Sequence, residues 1–325
     1  MKEEYLLKAA EPAAETNQSL VLSPLQDIKG FLFLHIGRSF LFLVTCVSVL
    51  AVLLIFYFVI RQALPFAKMA SLTQFLTDTR WQPESDQPGF GALPFIVGSL
   101  YVTFLSLLFA VPVGILAAVF LSDIVSFRIR NIIKPVIEIL AAIPSVAYGF
   151  FAVLVLAPWM QKRLGFSTGT NILNASIILS IMALPTIISV AEDALCAIGA
   201  ELREASYGLG ATRVETVFKV IIPAAHSGII AAIVLGMMRA IGETMVVWMA
   251  AGNARQIPTP WWDLSQSVGT MTAVIAGDMA ETPKGSAHFH CLFMIGLLLL
   301  LFTFFLNTIS EYFLAGAKKK MGKTR

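Results

Sequence analysis

Apolar positions in this chain gather into six long runs separated by polar segments. Ser39 to Ile60 contains no charged residue and as a helix extends about 33 Å, enough to cross the hydrocarbon core of a bilayer. It predicts a first transmembrane helix at residues 39–60. Residues 61–91 carry Trp81, Pro83, Pro88, Gly89 and Gly91 and read as an ordered loop outside the membrane. A second helix follows from Ala92 to Leu121, kinked at Pro112, then a short basic loop from Ser122 to Lys134. A third runs to about Trp159, interrupted at Pro144 and Gly149. Asn174 to Ala191 predicts a fourth, bent at Pro185, with Glu192 and Asp193 marking its exit. The fifth lies within GIIAAIVLGMMRAIGETMVV and ends near Ala251, and the sixth spans Cys291 to Ser310. Between them, residues 252–290 form a second large loop, whose Trp261 and Trp262 suit the headgroup zone. The expected fold is an all-α polytopic membrane protein with six transmembrane helices.

Composition points the same way. The chain of 325 residues is 57% hydrophobic and 13% charged, against about 25% charged in ordinary globular proteins. A net charge of +3 is too small to argue for nucleic acid as a partner. The lipid bilayer is the implied environment. Cys46, Cys196 and Cys291 have no metal-ligand spacing, and His288 and His290, two apart, fall on different faces of a helix. No metal site is expected. Residues 1–38 are polar and mixed, with Pro12 and Pro24 placed to break any long helix and no signal-peptide pattern. Residues 28–34 could lie on a membrane surface.

Charge placement sets the orientation. With six spans and both termini on the inner side, inner segments hold 15 Lys and Arg and outer segments 7, while Arg239 falls inside the membrane. The positive-inside rule therefore places both termini, including the basic tail at 316–325, in the cytosol. It also places there the polar stretch ELREASYGLGATRVETVFKVIIP, residues 201–223. That stretch reads as two short helices: the first from Glu201 to Leu209, a turn at Gly210, and a second opened by the capping box Thr212–Glu215. Pro223 is expected to end the second.

Three segments carry a resemblance. Glu204-Ala205-Ser206, then Gly210, then Val220-x-Ile222-Pro223, resembles the EAA loop of ABC-importer permeases, EAA-x3-G-x9-I-x-L-P. Ser206 stands for Ala, Val220 for Ile and Ile222 for Leu. Arg239-Ala-Ile-Gly-Glu-Thr-Met245 is similar to the R-A-x-G-E-T-M segment of PstC-type phosphate permeases, and Ala141-Ala-Ile-Pro-Ser-Val-Ala-Tyr-Gly149 to another segment of that family. The resemblance covers roughly residues 40–315. It implies a type I ABC importer permease of the MetI-like fold in the bacterial inner membrane. The implied partners are a PstA-type permease, a PstB-type ATPase dimer, and a periplasmic or lipid-anchored phosphate-binding protein. The chain would need no cofactor of its own, ATP and magnesium being bound by the ATPase. Gly322-Lys323-Thr324, with Gly316 upstream, has the wrong glycine spacing for a phosphate-binding loop.

Candidate site residues fall into three groups. Glu204, Ala205, Ser206, Gly210 and Pro223 would shape a small rigid knob that docks on the ATPase. Arg239, Glu243 and Thr244 form the second group, in the substrate path. A buried membrane charge costs at least about 2.5–3.5 kcal/mol. Residues 239 and 243 are one helical turn apart, so they can pair. The pair either fixes the bundle or supplies a transient anion site, since an arginine fork suits phosphate oxygens. Beside it, Ala232, Gly236, Ala240 and Thr244 make a stripe of small residues that lets another helix approach. The third group, Pro144, Ser145, Tyr148 and Gly149, forms either an unwound turn lining the path or a packing kink. Other oxyanions, such as sulfate or molybdate, would suit Arg239 equally well. A proton-coupled secondary transporter would share the Arg and Glu, but would have no use for the EAA-like stretch. A membrane enzyme finds no catalytic cluster.

Overall fold

The computed structural model describes the backbone of residues 24–321 and the side chains of residues 35–308. Residues 1–23 of the N-terminal segment, and Lys323 and Arg325 of the tail, lie outside the described residues. The chain divides into two compact units, 1–58 and 59–325. Helix α1 runs from Pro24 to Met69, so it overshoots the expected 39–60 at both ends. Pro24 opens this helix instead of breaking it, because a first-turn proline lacks only an N–H that would be unpaired anyway. In the first unit, Phe40, Leu43, Leu50, Leu54 and Tyr57 are all exposed, as a helix facing lipid requires.

In the second unit the expected loop at 61–91 begins only after Met69. It holds the short helix α2 (Leu72–Thr77) and the strands β1 (Trp81–Gln82) and β2 (Gly89–Phe90), antiparallel with Trp81 opposite Phe90. Trp81 packs edge-on against Phe95 at 5.0 Å, and Phe66 against Phe75 at 5.3 Å. These rings share a core with Leu292 and Ile295, which makes this an ordered cap.

Helix α3 (Leu93–Val119) ends in a π-helical turn over Phe120–Ile124. The basic segment expected to be a loop up to Lys134 is helical from Phe127: α4 (Phe127–Ala142) carries Arg128, Arg130, Lys134 and Glu138. Residues 130, 134 and 138 recur every four positions along one helical face, the reason a polar stretch can still be a helix. A break at Ile143–Pro144 turns the chain by 86° into α5 (Ser145–Phe151), a π-helical turn (Ala152–Leu156) and α6 (Ala157–Leu164).

Helix α7 (Ile172–Cys196) is the centre of the unit. Asn171 caps its first turn by accepting from the Asn174 N–H at 2.9 Å. Ile178, Leu179, Ile187 and Leu195 are fully buried. Lipid is as apolar as leucine, so close packing must hold such helices together. Gly114 of α3 and, from later in the chain, Gly236 both press on Ile187; a β-carbon on Gly236 would lie 2.5 Å from its Cγ1. Ala232, Gly236 and Ala240 are buried, so the small-residue stripe works as a packing seam.

The polar stretch follows as α8 (Ala200–Gly208), α9 (Arg213–Thr216), a π-helical turn (Val217–Ile221) and α10 (Ile222–Ala224). Pro223 sits in the first turn of α10 and does not end a helix. The chain bends by 72° at Ala225 into α11 (His226–Ile241). The expected fifth helix is broken in two, since Gly242–Glu243–Thr244 separates α11 from α12 (Met245–Ala250). The segment 252–290, expected to be loop, holds α13 (Met271–Asp278), and α14 (Ala287–Met321) completes the chain. Among the described residues, four helices are long and apolar enough to cross a membrane. The count reaches six if each bent pair is one span.

Candidate functional site: two helix breaks and a polar knob

The breaks in the third and fifth expected spans meet. Breaking α4 at Ile143 releases its last carbonyl groups, which need partners in a medium without water. The Tyr148 hydroxyl donates to Leu140 O at 2.9 Å, and Arg239 Nη2 donates to Ala141 O at 3.3 Å. Tyr148 thus satisfies one of the freed carbonyls, while the Ser145 hydroxyl makes no hydrogen bond with the described residues. Gly149 lies inside α5 and is not a break. It lets α5 approach α12, for a β-carbon there would lie 2.5 Å from Met249 Sδ.

Arg239 and Glu243 do not pair. Helix α11 stops at Ile241, so the one-turn geometry that would bring the two side chains together is lost. Among the described residues no carboxylate lies within ion-pair range of Arg239, and its buried Nε has no hydrogen-bond partner. Glu243 instead accepts, at its backbone carbonyl oxygen, a hydrogen bond from Thr272 Oγ1 at 2.9 Å. Its flank holds a cavity of about 10 Å³ that Ser99, Thr103, Thr270 and Thr272 also line, about the room one water needs. Thr244 reaches only Gly242 O, at 3.5 Å. The hydroxyls from α3 and α13 escaped the sequence reading, because serine and threonine inside apolar runs look unremarkable until the fold brings them together.

The knob is built in the opposite way. Gly210 adopts φ +85°, a left-handed conformation that glycine takes at no steric cost. The capping box is complete: Thr212 Oγ1 accepts from Glu215 N at 3.3 Å, and Glu215 Oε2 accepts from Thr212 N at 3.1 Å. Ser206, in place of the motif's Ala, is buried and shares a hydrogen bond of 2.8 Å with Thr216 Oγ1, tying α8 to α9. Glu204, Ala205 and Pro223 are exposed. So are Tyr207, Val214 and Phe218, with Leu209 at 90%. This apolar rim was legible as large side chains in a polar stretch with no core to enter.

Arg203, one residue before the motif, fixes the knob to the helices. Its Nε donates to Asp123 Oδ1 at 3.0 Å, Nη2 to Leu195 O at 3.0 Å, and Nη1 to Ile198 O. It therefore joins α8 to the end of α3 and the end of α7. Beside it Glu192 is 1% exposed and paired with Arg130 and, at 2.7 Å, with Lys134, which also holds Asp193. Glu192 is a buried clasp between α4 and α7, and α7 continues one turn past it to Cys196.

Residues 110–319 match the family described as binding-protein-dependent transport system inner membrane component. The chain belongs to this family. It is 42% identical over 239 residues to the probable ABC transporter permease protein YqgH of Bacillus subtilis, covering 74% of this chain and 76% of that protein. It is 33% identical over 267 residues to the phosphate transport system permease protein PstC of Mesorhizobium japonicum, covering 76% of this chain and 80% of that one. Among solved structures, an inward-facing form of the MetNI methionine ABC transporter superposes with a TM-score of 0.54 at 18% identity. That match covers 69% of this chain and 94% of that one, and it shows a shared fold. The chain is thus a multi-pass membrane component of a transport system, with a MetI-like fold.

Proposed function

We propose that this chain is a permease subunit of an ATP-driven phosphate importer. It forms half of the path beside a PstA-type permease and receives motion from a PstB-type ATPase dimer at the α8–α10 knob. A phosphate-binding protein delivers the anion from outside. The observation that carries this reading is the meeting of the two breaks at Arg239. Discontinuous membrane helices mark substrate sites, and a buried guanidinium nitrogen without a partner is a donor held for a ligand. Relatives of 29–33% identity over most of the chain that are named phosphate permeases supply the substrate. Both termini and the knob face the cytosol in this reading, as the distribution of Lys and Arg requires.

The test is ATP-dependent uptake of radiolabelled phosphate into vesicles containing the complete complex, driven by loaded binding protein. Uptake competed by unlabelled phosphate and not by sulfate is the expected result. Preference for sulfate or molybdate, or uptake driven by a proton gradient without ATP, would overturn it. Orientation is checked in a variant freed of Cys46, Cys196 and Cys291. A membrane-impermeant thiol reagent added outside should label a cysteine at Ser85 and spare one at Ser126, and the reverse pattern removes the proposed topology.

A further inference from the structure

A second arginine, Arg255, stands at the opposite end of α13 from the Glu243 break. It borders a cavity of about 140 Å³ together with Trp248, Asn253, Gly269, Gly277 and Asp278. Three observations bear on what this cavity accepts. Arg255 is half-exposed and spends only Nη2, on Asp278 Oδ1 at 3.0 Å, which leaves the rest of its fork without a partner among the described residues. The Trp248 indole N–H makes no hydrogen bond with them either, and it lies beside Gly277, 3.3 Å from where a β-carbon there would sit. The one carboxylate in the wall is already compensated. Asp278 is reached by Arg255, by the Trp81 indole at 3.3 Å, and by His288 Nε2 at 3.3 Å. Burial raises its carboxyl, but His288, Arg255 and Trp81 together outweigh this and leave it below the usual carboxylate range. The cavity thus offers unspent donors and no unspent negative charge.

Its place in the fold connects it to the helix breaks. Thr272, in the first turn of α13, is bonded to Glu243 O, and Asp278 is the last residue of that helix. Eight helical residues rise only about 12 Å. On the other side α12 runs from the break at Thr244 through Trp248 toward Asn253, whose amide holds Trp248 O at 2.8 Å.

The geometry points to a receiving site for a tetrahedral oxyanion, held by the free edge of Arg255 and the Trp248 indole N–H before the anion passes between α12 and α13 to Arg239. This deepens the phosphate-import reading and rests on it for the direction of passage. A guanidinium fork and an indole N–H are both donors only, which suits an acceptor-rich anion.

The test uses the complete transporter in lipid nanodiscs and inorganic phosphate as the probe, with chloride at matched ionic strength as the reference. Phosphate should change the tryptophan emission, and Trp248→Phe should remove that change. Arg255→Gln should weaken the response about tenfold, the loss expected from one charged hydrogen bond, while Arg255→Lys should keep most of it. Arg255→Gln also frees Asp278, so the double variant Arg255→Gln/Asp278→Asn is measured alongside. It should remain as weak as the single one, because the donor is still missing. A midpoint unchanged in Arg255→Gln, a response restored in the double variant, or no response that depends on Trp248 would each sink the receiving site. Uptake by the unaltered complex separates the two readings. If it imports phosphate normally while the fluorescence fails, the cavity alone is refuted. If it imports none, the transport reading itself falls.

Discussion

Arg203 and Arg239 lie 36 residues apart in the sequence, and the fold treats them in opposite ways. Arg203 spends all three nitrogens of its guanidinium on Asp123 and two helix-end carbonyls. Arg239 makes one 3.3 Å bond to Ala141 O and keeps a buried Nε with no partner among the described residues. A buried charge is tolerated when it is paired and costly when it is not, so the difference divides labour between the two regions. The knob end is held by a fully satisfied arginine, which suits the proposed task of passing on force. At the breaks the freed carbonyls find partners but Arg239 keeps an unspent donor, which suits the proposed meeting with a ligand.

Removing the satisfied arginine should have the largest effect on assembly. Arg203→Ala leaves Asp123, which is 8% exposed, with no counter-charge and only the Ser122 hydroxyl, and breaking such a buried pair typically costs about 3–5 kcal/mol. The thermal midpoint of the purified complex should fall sharply, and ATP hydrolysis should become independent of the binding protein. Unchanged coupling would remove Arg203 as the link between knob and helices. Gly210→Val comes next. Space is not the obstacle, since nothing lies within 4 Å of an added β-carbon; the φ of +85° is. A β-branched residue there costs about 1–3 kcal/mol, so less ATPase should co-purify with the variant. Gly210→Asn, which tolerates the left-handed region better, should recover most of it. Equal loss in both would show that volume and not backbone strain decides. Ser206→Ala is smaller still, about 1 kcal/mol for one hydrogen bond. It should shift the midpoint slightly and leave transport near normal.

The knob was readable from sequence because each part of it is local. A capping box, a glycine turn and a short helix depend on residues at most a few positions apart, so spacing alone specified them. The spans at 92–121 and 174–191 were legible for the same reason: hydrophobic length is a local property. What spacing could not show is where an apolar run stops being a helix. Nothing within RAIGETMVV marks Gly242–Glu243–Thr244 as a break. It forms where the chain meets α13 and the Ile143–Pro144 break, contacts about 30 and 100 residues away in sequence. The expected Arg239–Glu243 pair assumed helical continuity across that point. The burial of Glu192 was equally invisible: it depends on α4, itself taken for a loop, bringing Arg130 and Lys134 against it. Pro144 was visible as a break, but the partners of its freed carbonyls include Arg239, about 100 residues away, and so depend on the fold.

The smallest expected effect on assembly is also the one that tests the comparison most directly. If Arg239 and Glu243 formed an ion pair, removing either alone would strand the other. The double variant Arg239→Gln/Glu243→Gln would then be more stable than the sum of the single changes implies. The structure separates them at the end of α11, so the cycle should show little coupling, below about 0.5 kcal/mol as for independent sites. Arg239→Gln alone should lower stability by no more than about 1 kcal/mol, the worth of the single bond to Ala141 O. Transport is expected to behave differently. Without the guanidinium the anion loses its donor at the breaks, so uptake should be largely lost in Arg239→Gln and in the double variant, although both assemble and hydrolyse ATP. Thermal midpoints of the four purified complexes, measured beside phosphate uptake in vesicles, give both readouts from the same preparations. A large coupling energy with transport rescued in the double variant would restore the structural pair and remove Arg239 from the path. Loss of uptake without coupling, in complexes whose thermal midpoint barely moves, would assign Arg239 to the anion path and not to the bracing of the break through Ala141 O.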